Sequence, residues 1–260
     1  MDCKPVVVVS RCLTGENSRY DGEIINNEFV KRMGSIFHFI PFCPEIEAHM
    51  GVPRNPIILV RKRNGNMVAR EKFTGIDKTE TLIKVSKDFL ESLKEVHGFL
   101  LKSKSPSCGW KDTKIYDSYG TQISSKGKGL FSRQIRKYFP YVPIVSDSVL
   151  NLSYLRMRFV LKVFSFYWVE KQTIKMRSKE DIAHFEKEYA HVLKNFGIEQ
   201  LSFGFCSENV PFDLMLEELR LLLLKAVSHT IDKKRLLELY NIFSAIFNVD
   251  LKLAVTGIKC

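Results

Sequence analysis

Three short apolar runs in this chain are each followed by a cysteine: VVVV at 6–9 by Cys12, FHFIPF at 37–42 by Cys43, and FLL at 99–101 by Cys108. Runs of this length, rich in β-branched and aromatic residues and bounded by Pro, Gly and Ser, read as buried strands. IILV at 57–60 and PIV at 143–145 add two more candidates. Between them, residues 77–95 carry Leu82, Val85, Phe89 and Leu93 at three- and four-residue spacing among acids and lysines, which predicts an amphipathic helix. Strands that alternate with helices argue for an α/β fold, a Rossmann-like parallel sheet with helices on its faces.

After residue 150 the pattern changes. Gly and Pro become scarce and helical periodicity takes over at 156–170, 180–196, 214–228 and 233–247. We therefore expect a sheet domain over residues 1–150. A smaller all-α domain follows over 151–260, a bundle of about four helices with a possible role in binding nucleic acid.

The chain has 260 residues, 45% of them apolar, enough for a packed core. No apolar run approaches the roughly 20 residues that a membrane-spanning helix needs, and the first residues lack a secretory signal. The expectation is a cytoplasmic protein with no membrane partner. The net charge of +11 is unevenly spread. Residues 101–179 hold 16 Lys and Arg against four Asp and Glu, whereas the remainder holds 24 against 25. A concentrated basic stretch is the electrostatic footprint of a polyanion partner.

Six cysteines and no CxxC pair argue against a zinc ribbon. Cys3 and Cys206 read as structural thiols and Cys260 as a chain-end thiol. The other three have a shared placement. In an open parallel sheet, the loops at the carboxyl ends of the strands converge on one edge, where ligands bind. Cys12, Cys43 and Cys108 all fall on such loops. Iron–sulfur clusters are held by thiolates, usually four. With three, one iron of a cubane keeps an open position. Asn17, Arg19 and Tyr20 beyond Cys12, Arg54 beyond Cys43, and Ser105 beside Cys108 are candidate substrate contacts. Asp21-Gly22 reads as a turn, and His49 and His97 as structural. The segment GKG at 127–129 is too short for a phosphate loop.

The segments SRCLTGENSRYDG (10–22), PFCPEIEAHMGVPR (41–54), KSKSPSCG (102–109) and GKGLF (127–131) together resemble the TudS-type thiouracil desulfidase family. LRMRFVLKVFSFYW (155–168) is similar to the helical domain appended in that family's two-domain branch. HFEKEYAHVLKNF (184–196) departs from the branch's FHxRHK pattern. The resemblance implies a [4Fe-4S] cluster on Cys12, Cys43 and Cys108, with the fourth iron open to a thione sulfur. It also implies catalytic roles for Glu45 of the CPE segment and Ser103 of KSKSPSCG. The implied substrate is a thiolated uracil as base, nucleotide or tRNA 4-thiouridine. The implied reaction is non-redox hydrolysis of the C–S bond, since a soft Lewis acid polarises the thiocarbonyl and water attacks its carbon. The competing expectation is a basic nucleic-acid-binding module whose cysteines are structural.

Overall fold

The computed structural model describes residues 4–199, 211–229, 232–249 and 251. Cys3, Cys206 and Cys260 lie outside these residues. The chain divides into two units. One comprises Met1–Pro140 and Ile144–Arg156, the other Tyr141–Pro143 and Met157–Cys260.

The first unit is built on a four-stranded parallel sheet of β1 (Val6–Ser10), β2 (His38–Phe42), β5 (Gly98–Leu101) and β8 (Ile144–Ser146), in the order β2-β1-β5-β8. The VVVV run is wholly buried, as expected of a strand covered on both faces. Val8 pairs with Ile40 on one side and Phe99 on the other. The chain moves outward from β1 to β2, then returns to the far side of β1 as β5. This reversal opens a crevice at the carboxyl ends of the central strands.

The expected strand at Ile57–Val60 is present as β3 (Ile57–Arg61), but it belongs to a second sheet. β3 pairs antiparallel with β4 (Met67–Glu71) and parallel with β6 (Thr113–Tyr116), which pairs antiparallel with β7 (Gln122–Gly127). The four strands lie in the order β4-β3-β6-β7. Hairpin pairing is what places β3 here. It meets β4 across the short turn 62–66, a closer partner than any strand of the parallel sheet.

Helices fill the connections: α1 (Glu28–Met33), α2 (Pro44–Glu47), α3 (Thr79–Ser92) and α4 (Leu130–Tyr138). Phe89 of α3 stacks on Phe42 of β2 with ring centroids 3.8 Å apart, and Phe131 of α4 lies 4.8 Å from the same ring. Phe131 also meets Phe99 of β5 edge-on. Large buried rings give each contact about 0.5–1.5 kcal/mol beyond area burial. This cluster therefore fixes β2 at the residue before Cys43 and α4 at its first turn.

The second unit is helical. Its elements are α5 (Ser153–Thr173, whose first residues belong to the first unit), α6 (Lys179–Asn195), α7 (Phe212–Ser228) and α8 (Lys233–Phe247). Trp168 is its buried centre, with Phe185, Tyr189 and Phe243 at 5.3–6.1 Å. Ser178 and Asp181 form a capping box that starts α6. No helix among the described residues is long and apolar enough to cross a membrane.

Candidate active site

All four strands of the parallel sheet deliver polar side chains to one edge. β1 ends at Ser10, and Cys12 follows in a single 3₁₀ turn, Arg11–Leu13. β2 ends at Phe42, so Cys43 is the next residue and the N-cap of α2. β5 ends at Leu101 and leads into Lys102, Ser103 and, after a tight loop, Cys108. β8 ends at Ser146 and supplies Asp147 and Ser148. These elements line one cavity of about 520 Å³ that contains Cys12, Cys43, Cys108, Glu45, Ser103, Ser105, Arg19, Tyr20, Arg54 and Lys102 among its walls. The expected convergence of the three cysteines is thus present in the geometry. Asn17 is the exception among the expected contacts: it is exposed and off the cavity, while its neighbour Ser18 lines the wall.

The loops are tied to one another through Glu45. Arg54 donates from Nε to Glu45 Oε2 at 2.8 Å, and its Nη2 forms an ion pair with the same oxygen at 2.8 Å. Its Nη2 also donates to the Ser18 carbonyl at 3.0 Å, and its Nη1 to the Gly51 carbonyl at 2.9 Å. Ser107 Oγ donates to Glu45 Oε1 at 2.8 Å. One carboxylate therefore joins the Cys43 loop to Ser107 of the Cys108 loop and, through Arg54, to the Cys12 loop. The pair is deeply placed, with 5% of the Arg54 side chain and 10% of the Glu45 side chain exposed. A carboxylate has about four lone-pair sites. The hydrogen bonds from Arg54 Nε and Ser107 Oγ occupy one site on each oxygen, which leaves a free site on Oε1.

A second relay spans the other half of the wall. Asp147 accepts from Lys102 Nζ at 2.8 Å and from the Ser103 backbone N–H at 2.6 Å. Lys102 Nζ lies 3.0 Å from Ser103 Oγ. The Lys102 backbone N–H donates to Ser10 Oγ at 2.9 Å, stitching β5 to β1. Neither Asp147 nor Ser107 was expected from sequence. Their partners lie 44 and 62 residues away, so only the fold brings them together.

Two expected substrate contacts have other partners. Arg19 donates through Nε to Asp21 at 2.8 Å, approaches Glu23 at 3.2 Å, and lies over Tyr20. The hydrogen bond from Arg19 holds Asp21 down at about 2. Ser105 Oγ accepts the backbone N–H of Cys108 at 3.0 Å and of Ser107 at 3.2 Å, so it shapes the loop that presents Cys108.

The thiols sense one another. Burial pushes the Cys12 thiol up to about 12, with the nearby Cys43 adding to the shift and Lys102 opposing it. Burial raises Cys43 as well, with Glu45 contributing. It raises Cys108 well above the usual thiol value, with the nearby Cys43 adding to the shift. Three thiolates in one buried pocket repel unless a cation joins them, and a coordinating metal is what deprotonates such thiols outright. Ser18 Oγ is also buried at this cavity and has no hydrogen-bond partner among the described residues. A soft-donor set of three cysteines and an uncommitted hydroxyl fit an iron–sulfur group, whose sulfurs accept hydrogen bonds.

Comparison with known proteins adds the following. A family model described as 2-thiouracil desulfurase matches residues 7–147, which contain the three cysteines, Glu45 and Ser103. The uncharacterized protein YbbK of Bacillus subtilis (strain 168) is 27% identical over 110 residues, 40% of this chain and 73% of that protein. A solved [4Fe-4S]-dependent thiouracil desulfidase, TudS, is 25% identical with a TM-score of 0.44, over 57% of this chain and 94% of that one.

Proposed function

The chain belongs to the 2-thiouracil desulfurase family, and from that premise we propose that it hydrolyses the C=S bond of a thiolated uracil, giving uracil and sulfide. The observation that carries this reading is the cavity walled by Cys12, Cys43 and Cys108 together with Glu45 and Ser103. Cysteines that merely packed a core would not line a shared cavity, and this disfavours the binding-module alternative.

Cys12, Cys43 and Cys108 would hold a [4Fe-4S] cluster, which when bound supplies a soft Lewis acid with one position free for a thiocarbonyl sulfur. The chain's own groups do the rest. Glu45 takes a proton from the attacking water through the free lone pair on Oε1, while Arg54 and Ser107 fix the carboxylate. Ser103, held beside Lys102 and Asp147, donates a hydrogen bond to the base where negative charge develops. Tyr20 and Ser105, on the same walls, bound the space for the ring. Water replaces sulfur at one carbon and the sulfur leaves as hydrogen sulfide, so no electron donor or acceptor enters the balance.

The substrate forms we assign are 4-thiouridine in tRNA, thio-UMP and the free thiouracil base, within a cytoplasmic setting. The test is anaerobic cluster reconstitution with iron and sulfide counts. Sulfide release from 2-thiouracil, 4-thio-UMP and thiolated tRNA is then measured. We expect release from at least one of them, and loss of iron when any one of the three cysteines is replaced by Ala. A cluster-loaded protein inert toward all three would overturn the reading.

A further inference from the structure

The basic stretch of this chain has a focus at Trp110, two residues beyond Cys108. Lys111 Nζ and Lys128 Nζ lie 5.4 and 4.7 Å from its ring centroid, and the Arg136 guanidinium carbon lies 5.1 Å away. Arg133 joins them by donating from Nε to the Lys128 carbonyl at 2.9 Å. None of these four cations has a carboxylate partner among the described residues. Arg136 instead donates to the carbonyls of Phe139 and Pro140. Asp112, the acid next in sequence to Lys111, accepts from the Lys104 backbone N–H.

This gathering is unfavourable by itself. Burial lowers the Lys128 ammonium, and Lys111, Arg136 and Arg133 lower it further. Contact with an indole face offsets only part of this repulsion. An anion that meets several of the charges together relieves the repulsion, and guanidinium and ammonium groups suit phosphate oxygens.

The cage is rigidly joined to the proposed active site. The Gly129 N–H donates to the Gly109 carbonyl at 2.8 Å, Leu130 N–H to Pro106 at 3.1 Å, and Phe131 N–H to Ser107 at 2.9 Å. Lys128 and Trp110 are thereby bolted to the two sides of the Cys108 loop. Two residues span at most about 7 Å of chain, so the Trp110 backbone lies within that distance of the Cys108 backbone.

We propose that Trp110, Lys111, Lys128 and Arg136 form a second binding site, one for the phosphates of a single-stranded RNA segment that flanks the thiolated uridine. The identity of that base rests on the desulfidase reading; the phosphate site does not. A lone nucleotide brings one phosphate, fewer charges than the cage assembles. A strand brings successive phosphates to the cations and a base to the exposed part of the indole.

The test uses the full chain and a fluorescently labelled, unmodified oligouridylate, so binding is read without turnover. The double variant K111Q/K128Q is compared with K84Q/K87Q, which removes the same charge from exposed positions of α3. We expect the cage variant to weaken binding at least about tenfold at 0.1 M salt and to lower the salt slope by roughly 1.4, as two phosphate contacts of a single strand require. The control should change it less than about twofold. Trp110→Phe, which keeps an aromatic face, should give a partial loss. Trp110 fluorescence should respond to RNA, since the other tryptophan, Trp168, is 1% exposed.

Equal weakening by both double variants would overturn the site. So would competition by UMP as effective, per phosphate, as by the oligonucleotide. A loss confined to phosphatidylserine vesicles, with RNA binding intact, would replace RNA by a membrane surface and overturn the proposal. A protein that binds RNA through the cage yet releases no sulfide from any thiolated uracil would sink the desulfidase reading and leave this one standing.

Discussion

Glu45 ties the three cysteine loops together, and in the reaction we propose it also takes a proton from water on the free site of Oε1. Substitution at the two ends of the pair separates the roles. Arg54→Ala leaves a buried carboxylate without its partner, which costs about 3–5 kcal/mol. A urea titration of the cluster-free chain should show an unfolding free energy lower by that amount, through a lower midpoint at unchanged slope. Glu45→Gln is milder for the fold, because its amide oxygen still accepts from Arg54 and its NH₂ can donate to Ser107 Oγ. It has no carboxylate to take the proton, so turnover should fall on the order of 10²–10⁴-fold with iron content retained. Full turnover in Glu45→Gln would leave Glu45 with the structural role alone. At this scale placement is legible where a residue sits close to a cysteine in sequence: Glu45 is two residues from Cys43, Ser103 lies in the Cys108 segment, and both line the cavity. Arg54 and Arg19 invite assignment to substrate because a guanidinium suits phosphate. The structure gives them to Glu45 and Asp21, partners that residue type alone does not reveal.

Among the secondary elements, α4 is the one that decides where Cys108 sits. Gly129, its N-cap, has φ −63°, a conformation open to any residue. Space is the constraint: a Cβ there would meet the Ser107 carbonyl oxygen at 2.3 Å and the Cys108 nitrogen at 2.9 Å. Gly129 is thus a close-packing device beneath the Cys108 loop, while Gly127 packs against Ile115 and Thr113 of β6, where a Cβ would meet them at 2.6–2.7 Å. Gly129→Ala should force the loop and α4 apart, at about 1–3 kcal/mol for overpacking. The checks are the thermal midpoint of the cluster-free chain and the iron retained after reconstitution, both of which should fall. Retention of both at the parental level would show that the contact relaxes freely. The parallel sheet is legible because β1 and β5 are continuous apolar runs, buried at every position. The second sheet is not, because its outer strand β7, QISSKG, is mostly exposed and carries no apolar alternation. The α6 and α7 helices follow the apolar spacing, each burying a stripe, whereas α5 is buried at almost every position from Phe159 to Val169.

On the scale of the whole chain, the question is where the sheet-bearing unit ends. Both sheets, the cavity and the Trp110 cage lie within it, and composition alone suggests a boundary at 150. The division in the structure falls six residues later, inside the first turn of α5, and Arg156 supplies the physical reason. Its side chain is buried, Nη1 donates to the Leu150 carbonyl at 2.8 Å, and the guanidinium lies over the Phe29 ring at 5.7 Å. A charged residue reads from sequence as the polar face of a new helix, so periodicity does not reveal this anchor. A fragment of residues 1–160 keeps this anchor, and a fragment of 1–150 loses it. The lost contacts are a hydrogen bond from a charged donor, about 1.5–3 kcal/mol, and a desolvated cation–π contact. For a unit of this size each kcal/mol moves the thermal midpoint by about 2–4 °C. The shorter fragment should therefore melt roughly 5–10 °C below the longer one, in a differential scan of both at equal concentration. Because the offset comes from Arg156, Arg156→Ala in the longer fragment should lower its midpoint by a similar amount. Coincident melting of the two fragments would place the end of the folding unit at residue 150 after all.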